Sequence, residues 1–479
     1  METSSHWKPN LTLMTQARVE HLHAAALSIL KTTGLNVHHP GVRRKLADAG
    51  AKTGDGPRVY LNREMVDQAL STAKSNIVVH NRLGESVMPL GPHQIYFGTG
   101  SDLLHTIDPK TGEHRSSLLE DVGRAARLCD ALDEIDFVMS FSVPHDVPAE
   151  NAEPLQYYEM VRNTIKPVIM TSFSGLECME RVHEMACTLA GGDEVFRERP
   201  NYILYGQFVS PLQHDSQAVE RLVFCADHEV PLIYIPTIML GASGPFTMAG
   251  ALALATAECL AGLVMHQVQR PGAPFIFGAC VGPLDMRTML FPYGSPEWRL
   301  NDLIMAEMAR YYGLPVFGTA GAADSKVVDA QAGAEYASSL LVSALAGTNL
   351  IHDVGYLESG LCGSLESLVL GAEQIRWVKH FIQGVQVSDK MWALDAIADV
   401  GPAGDFLGHD HTLEHLRSTM WSPYVTDRDG YAVWEADGAK DYATRAHEYA
   451  QQLLESHQPR GIDEAMDATL RELCGGALL

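Results

Sequence analysis

Basic residues are in short supply in this chain of 479 residues. Lys and Arg number 35 against 59 Asp and Glu, and 35 − 59 leaves −24. So acidic a balance argues against a nucleic acid or an anionic membrane as partner and suits a small cationic substrate. Cysteine is sparse and unpatterned. The eight residues, at 129, 178, 187, 225, 259, 280, 362 and 474, form no C-x-x-C and no regular framework, which points to a reducing, cytoplasmic compartment. The longest apolar stretch, 248–268, is interrupted by Glu258 and His266 and reads as a buried helix rather than a membrane span. The first twenty residues hold no apolar run of the signal-peptide kind, so export is not expected. No G-x-G-x-x-G follows a predicted strand. Gly98-Thr99-Gly100 lacks the third glycine, and a dinucleotide-binding fold is not expected.

What is present is a rhythm. Short β-rich runs fall at residues 135–141, 167–173, 202–208, 231–237, 274–280, 315–320 and 349–354. Helical patterns fall between them at 176–189, 216–227, 247–268, 298–312 and 331–345. This alternation fits successive βα units on a parallel sheet. Four runs begin at proline (167, 231, 274, 315), which a strand tolerates at its first residue. An eighth candidate is 94–99, followed by a hairpin turn at Asp108-Pro-Lys-Thr-Gly112. Seven or eight units predict an α/β fold, a closed (β/α)8 TIM barrel over residues 94–380. With 46% apolar residues the chain can bury so large a core. Residues 1–93 read as an α-rich N-terminal cap, with helices at 16–33, 42–49 and 64–73. Residues 381–479 read as a C-terminal helical extension with helices at 440–456 and 463–473, packed on the barrel or on a partner. A homo-oligomer is expected.

A barrel keeps its chemistry where its strands end. The run Asn349-Leu-Ile-His352-Asp-Val-Gly355-Tyr-Leu-Glu358-Ser-Gly360 is apolar, then polar and glycine-broken, and upstream Pro315–Lys326 has the same character. Together they place His352, Asp324 and Lys326 at one end of one sheet. Other strand ends carry Tyr96, Phe97, Ser172, Ser174, Tyr205, Gln207, Phe277, Phe317 and Tyr356, with Arg287 just beyond one of them. Aromatic faces suit a quaternary ammonium, which forms no conventional hydrogen bond and is held at roughly 0.5–2 kcal/mol per well-placed ring. Singly, each aromatic reads equally as ordinary strand core. His352 reads as a core histidine donating to a backbone carbonyl or, from its place beside Asp353, as a site residue. Asp324 could salt-bridge Lys326. Gln331 and Glu335 fit helix anchors better than substrate ligands.

Longer motifs carry a resemblance. Gly241-Ala-Ser-Gly-Pro-Phe-Thr-Met-Ala-Gly250, Arg270-Pro-Gly-Ala-Pro-Phe-Ile-Phe-Gly278, Asp324-Ser-Lys-Val-Val-Asp-Ala-Gln331 and Ala346-Gly-Thr-Asn-Leu-Ile-His352 resemble the trimethylamine methyltransferase family. His411-Thr-Leu-Glu-His-Leu-Arg417, Trp421-Ser-Pro423 and Trp434 resemble it too. The resemblance covers the chain from about residue 30 onward. It implies a (β/α)8 barrel that moves a methyl group from an amine to the cobalt of a separate corrinoid (cobalamin) protein. Trimethylamine-specific members carry pyrrolysine in the segment matching 318–326. Here Gly321, Ala322 and Ala323 stand where it would fall. The sequence is therefore similar to the non-pyrrolysine branch, which acts on quaternary amines such as glycine betaine.

A quaternary nitrogen is already a leaving group, so the protein needs to orient the C–N bond and exclude water. No catalytic nucleophile and no resident metal are expected. Tyr96, Tyr205, Phe317 and Tyr356 are the expected ammonium contacts, and His352 with Arg287 or Lys326 the expected carboxylate contacts. Two rival readings exist. His411-Thr-Leu-Glu414-His415 matches the H-x-x-E-H of inverted zinc proteases, which would make a zinc-dependent hydrolase, but no third ligand stands out far downstream. A non-catalytic betaine-binding protein would need an export signal, and none is seen.

Overall fold

Side-chain alternation along the apolar runs builds the core from two layers. In the computed structural model, which describes residues 5–475, Ile203 and Tyr205 point into one cluster with Phe137, Met139, Ile169, Ile233, Ile235, Ile276, Phe317 and Leu350. Their neighbours Tyr202, Leu204, Leu232, Tyr234, Phe275 and Phe277 join a second, larger cluster with the helices. Period two puts alternate residues inside the barrel and under its helices.

The strands are β1 (Tyr96–Phe97), β2 (residues 137–138), β3 (Val168–Thr171), β4 (Tyr202–Phe208), β5 (Leu232–Leu240), β6 (Phe275–Gly278), β7 (Val316–Thr319) and β8 (Leu350–His352). All pair in parallel. The registers include Gly98↔Phe137, Val138↔Val168, Val168↔Tyr202, Leu204↔Leu232, Leu232↔Phe275, Phe277↔Val316, Phe317↔Leu350 and Leu350↔Tyr96. The last pair returns to the first strand and closes the barrel. Each strand precedes its helix: α1 (Leu119–Ala131), α2 (Ala149–Asn163), α3 (Leu176–Ala190), α4 (Ser216–His228), α5 (Met248–Gln269), α6 (Pro296–Tyr312), α7 (Ala330–Ala346) and α8 (Leu365–Gln383). Asp329 caps α7, its carboxylate accepting from Ala332 N at 2.9 Å.

One strand expectation holds and one changes. Residues 94–99, the extra candidate, supply β1 and complete the ring of eight. Run 135–141 yields a two-residue bridge because the chain leaves the ladder early. Met139 N donates to the Thr99 hydroxyl at 2.8 Å and Phe141, at φ +63°, donates to Gly100 O. The Asp108 turn forms the expected hairpin, pairing His105–Ile107 with His114–Ser116 outside the barrel.

Helix α5 is apolar all round, and 83% of its most apolar window is buried. It lies on the barrel and is covered by the N-terminal helices Gln16–Ser28 and Arg63–Thr72, which removes the reason to read it as a membrane span. The N-terminal segment also sends the hairpin Val78–His80/Ser86–Pro89 under the barrel. Ile77, Val79, Met88 and Leu90 join the interior cluster and plug the end where the strands begin. In the tail, Tyr442–Ser456 packs on α8 and α1, and Glu464–Leu473 on α3 and α2. The buried Glu373 carboxylate on α8 accepts from Tyr424 N, Val425 N and Thr426 N, with distances of 2.9–3.2 Å.

Candidate active site

The open end of the barrel gathers one aromatic and acidic group. Tyr205 on β4, Phe317 on β7 and His352 on β8 all point inward. Their ring centroids lie 5.1 Å apart for Tyr205–Phe317, 4.1 Å for Phe317–His352 and 5.8 Å for Tyr205–His352. Gln207, the next inward residue of β4, donates to the Tyr205 hydroxyl. Tyr356, in the loop after β8, donates its hydroxyl to Asp102 Oδ1 and accepts from Asp102 N at 3.0 Å. Tyr293 stacks on Trp298 at 4.9 Å and meets Tyr356 edge-on at 6.3 Å. At Gly100 a Cβ would overlap both the Tyr356 hydroxyl and Asp353 Oδ1. The glycine there lets three loops converge.

His352 uses both ring nitrogens. Nδ1 lies 2.9 Å from Gly318 O, an acceptor, so Nδ1 carries hydrogen. Nε2 lies 3.2 Å from Asp353 Oδ1. Burial lowers the imidazole to about 4, opposed by the Gly318 carbonyl. Burial also raises Asp353 well above the usual carboxylate range, reinforced by Asp102 and Asp302 and opposed by Arg299. Burial thus favours the uncharged form of both groups. Burial raises Asp102 as well, against the Tyr356 hydrogen bond. Burial, with Asp102 and Asp353 nearby, pushes the Tyr205, Tyr293 and Tyr356 phenols upward, so all three remain protonated. Arg299 donates to Thr319 O and to Asp302, both at 3.0 Å, and Asp302 also accepts from the Ser343 hydroxyl at 2.9 Å.

Of the residues singled out from sequence, Tyr205, Gln207, Phe317, His352 and Tyr356 come together here. Four do not. Tyr96 lies at the start of β1, at the plugged end, its hydroxyl 3.3 Å from Pro89 O; a parallel strand delivers its last residues to the mouth, not its first. Arg287 sits exposed in a rim turn closed by Arg287 N to Asp285 Oδ1 at 2.8 Å. Lys326 is exposed and donates to the Asp324 backbone carbonyl at 2.8 Å, so the expected side-chain salt bridge is replaced by a local turn contact. Asp324 acts from behind. Its carboxylate accepts from Tyr293 N (2.8 Å), Gly294 N (3.0 Å) and the Ser359 hydroxyl (2.8 Å), fixing the loop that presents Tyr293. Glu335 anchors that loop in turn, accepting from Asp324 N at 2.7 Å and Gln331 Nε2 at 2.9 Å. Phe97 and Phe277 belong to the helix-facing cluster.

Sequence reading passed over Asp102, Tyr293, Arg299 and Asp353 as ligands. Gly98-Thr-Gly100 was the signal for Asp102: paired glycines beside a strand end mark a close approach of backbone. In the segment compared with the pyrrolysine position, Gly321 (φ +75°) donates to the Ser339 hydroxyl and Ala323 N to Tyr356 O. Ala322 and Ala323 are buried. Both alanines pack in the helix-facing cluster.

In the tail, Glu414 is held by Lys390 at 2.7 Å, and the rings of His411 and His415 are 4.5 Å apart. His409, whose Nδ1 accepts from His411 N, lies 3.3 Å from Asp399.

Known proteins share this architecture and sequence. The trimethylamine methyltransferase (MTTB) family model matches residues 2–474. A trimethylamine methyltransferase of Desulfitobacterium hafniense (strain DSM 10664 / DCB-2) is 33% identical over 453 residues, 94% of this chain and 91% of that protein. A glycine betaine methyltransferase of Desulfitobacterium hafniense (strain Y51) is 31% identical over 467 residues, covering 97% and 96%. The crystal structure of the Methanosarcina barkeri monomethylamine methyltransferase superposes with a TM-score of 0.50 at 12% identity, covering 93% of this chain and 88% of that one, a likeness of fold. With the match running nearly end to end on a closed barrel, the chain belongs to the trimethylamine methyltransferase family and is a methyltransferase.

Proposed function

We propose that this enzyme takes a methyl group from a small quaternary ammonium compound and passes it to the Co(I) of a separate corrinoid protein docked at the barrel mouth. The observation that carries the reading is the pairing of Asp102 and Asp353 with the rings of Tyr205, Tyr293, Phe317 and Tyr356. Ring faces attract a cation that cannot hydrogen-bond, and the two buried acids add attraction as the bound cation shifts them toward their charged forms. Reduced cobalt, when presented, supplies the nucleophile. The chain's own residues hold the ammonium, aim one N–CH3 bond toward the opening and keep water away. The leaving amine departs with its own electron pair and needs no acid, which suits a site whose phenols are all held protonated.

The substrate class follows from charge. A compact trimethylammonium group matches ring faces in chemistry. Where the fourth substituent ends in a carboxylate, as in glycine betaine, Arg299 is the guanidinium within Coulombic range, in place of Arg287 and Lys326. The relative named for glycine betaine supports this branch, as does the presence of only standard residues, Gly321, Ala322 and Ala323, in the compared segment.

Docking of a large partner is supported by the rim. Phe173, Val209, Phe246, Met289 and Val327, on the loops after β3, β4, β5, β6 and β7, are each 55–65% exposed. Apolar side chains this exposed, ringed around one opening, mark a contact surface for another protein. The test is methyl transfer to a purified corrinoid protein encoded beside this one, with glycine betaine, choline, tetramethylammonium and trimethylamine as donors. A quaternary compound is expected to be demethylated and trimethylamine left intact. Trimethylamine turnover with no quaternary donor active overturns the reading.

A further inference from the structure

Away from the mouth, a second cluster of donor atoms lies between α3 and α4. His183 and Cys187 stand one turn apart on α3, and Cys187 Sγ is 3.5 Å from His183 Nε2. Asp193 opens the short helix Asp193–Glu198, and its Oδ1 is 3.7 Å from the same nitrogen. His228 is the last residue of α4. Ligating atoms of His183, Asp193 and His228 all lie within 4.8 Å of one another.

We propose that His183, Asp193 and His228 bind one divalent cation of the zinc class, with Cys187, which stands beside His183, drawn in as fourth donor when the ion binds. With zinc–ligand bonds of about 2.0–2.3 Å, the edges of a tetrahedron are about 3.3–3.6 Å, and the two edges at His183 Nε2 are near those values. The surroundings match what a metal-bound histidine needs. The Tyr202 hydroxyl lies 3.2 Å from His183 Nδ1, which fixes the ring and leaves Nε2 facing the cluster. Phe196 and Phe224 stand edge-on to that ring at 5.0 and 5.4 Å and keep the inner side dry. Arg197 takes Asp193 Oδ2 at 3.0 Å, orienting the carboxylate so that Oδ1 faces His183. A nitrogen, sulfur and oxygen donor set of this kind suits zinc rather than magnesium or calcium.

All four donors lie on helices and on the turns that lead back to strand starts, at the end of the barrel opposite the mouth. The ion is therefore structural: it ties α3 to α4, as expected for the stability face of such a barrel. Binding to the folded state raises the unfolding temperature with zinc concentration.

The test uses full-length protein stripped with a chelator and titrated with zinc against a chromophoric competitor. The comparison is Asp193→Asn combined with His228→Gln, which leaves the buried His183–Tyr202 contact intact. His105, His114 and Glu358 at the mouth form another trio, so the quantity read is the difference between the two proteins. Wild type should bind one more equivalent than the variant, or the same site at least about tenfold more tightly, a loss seen even when an outer partner of a ligand is removed. Zinc should raise the melting temperature of wild type more than that of the variant. Loading with cobalt(II) should give a thiolate charge-transfer band that Cys187→Ser removes. Equal zinc affinity and equal thermal response in the two proteins overturn the site. A cobalt spectrum unchanged in Cys187→Ser removes the fourth donor.

Discussion

Asp353 turns back toward the residue before it: its Oδ1 lies 3.2 Å from His352 Nε2, although neighbours on a strand ordinarily face opposite sides. The left-handed backbone at Asp353, φ +75°, makes the reversal. A non-glycine residue in that region stores strain, and such strain gathers at working sites. Burial favours the uncharged form of both groups, beside the rings that we assign to the substrate ammonium.

Cation binding should release a proton. Burial raises Asp353 and Asp102 in the free enzyme, and an ammonium beside them favours their charged forms. Affinity should therefore rise as pH rises through the range where these acids titrate in the free enzyme, and flatten above it. Calorimetry in two buffers of different ionisation enthalpy measures the protons released. No release, or a release that persists in the Asp353→Asn, Asp102→Asn double variant, contradicts this.

Replacing His352 by Ala should weaken binding of the best quaternary ligand by roughly 1–3 kcal/mol, the range for loss of a buried hydrogen-bonded group. The cause is loss of the ring packed against Phe317 and of the partner of Asp353, since burial disfavours the charged imidazole. Unchanged affinity by calorimetry would remove His352 from the site.

Arg287→Ala and Lys326→Ala should bind ligand as the wild type does, because both side chains are exposed on rim loops. Tyr293→Ala should lose about 0.5–2 kcal/mol, one ring's share of a cation–π cage. Asp324→Ala should weaken binding in the same direction without touching ligand, by releasing the Tyr293 loop. If the rim variants prove the damaging ones, the cage is misplaced.

Changing His411 and His415 together to Ala should leave the zinc content of the purified protein unchanged. Glu414 between them is engaged by Lys390, and the motif occurs in a fold unrelated to zinc proteases. Loss of a stoichiometric ion in that variant would reverse the assignment.

The sequence by itself determined the barrel. β-rich runs and helical patterns alternate at spacings that fit βα units, whereas the continuously apolar strands, such as Tyr202–Tyr205, leave to the fold which residues face inward. It also determined the family, through long motifs, and placed Tyr205, Gln207, Phe317, His352 and Tyr356 at strand ends. Tertiary structure decided the rest. Whether an aromatic near a strand lies at its start or its end reverses its place in the barrel, and Tyr96 fell at the plugged end for that reason. Asp102 and Tyr293 come from loops that no local period describes, brought in by Gly100 and by the Asp324 carboxylate. The charge state of His352 and Asp353 belongs to neither residue alone: it follows from burial and from one left-handed turn, both properties of the folded chain.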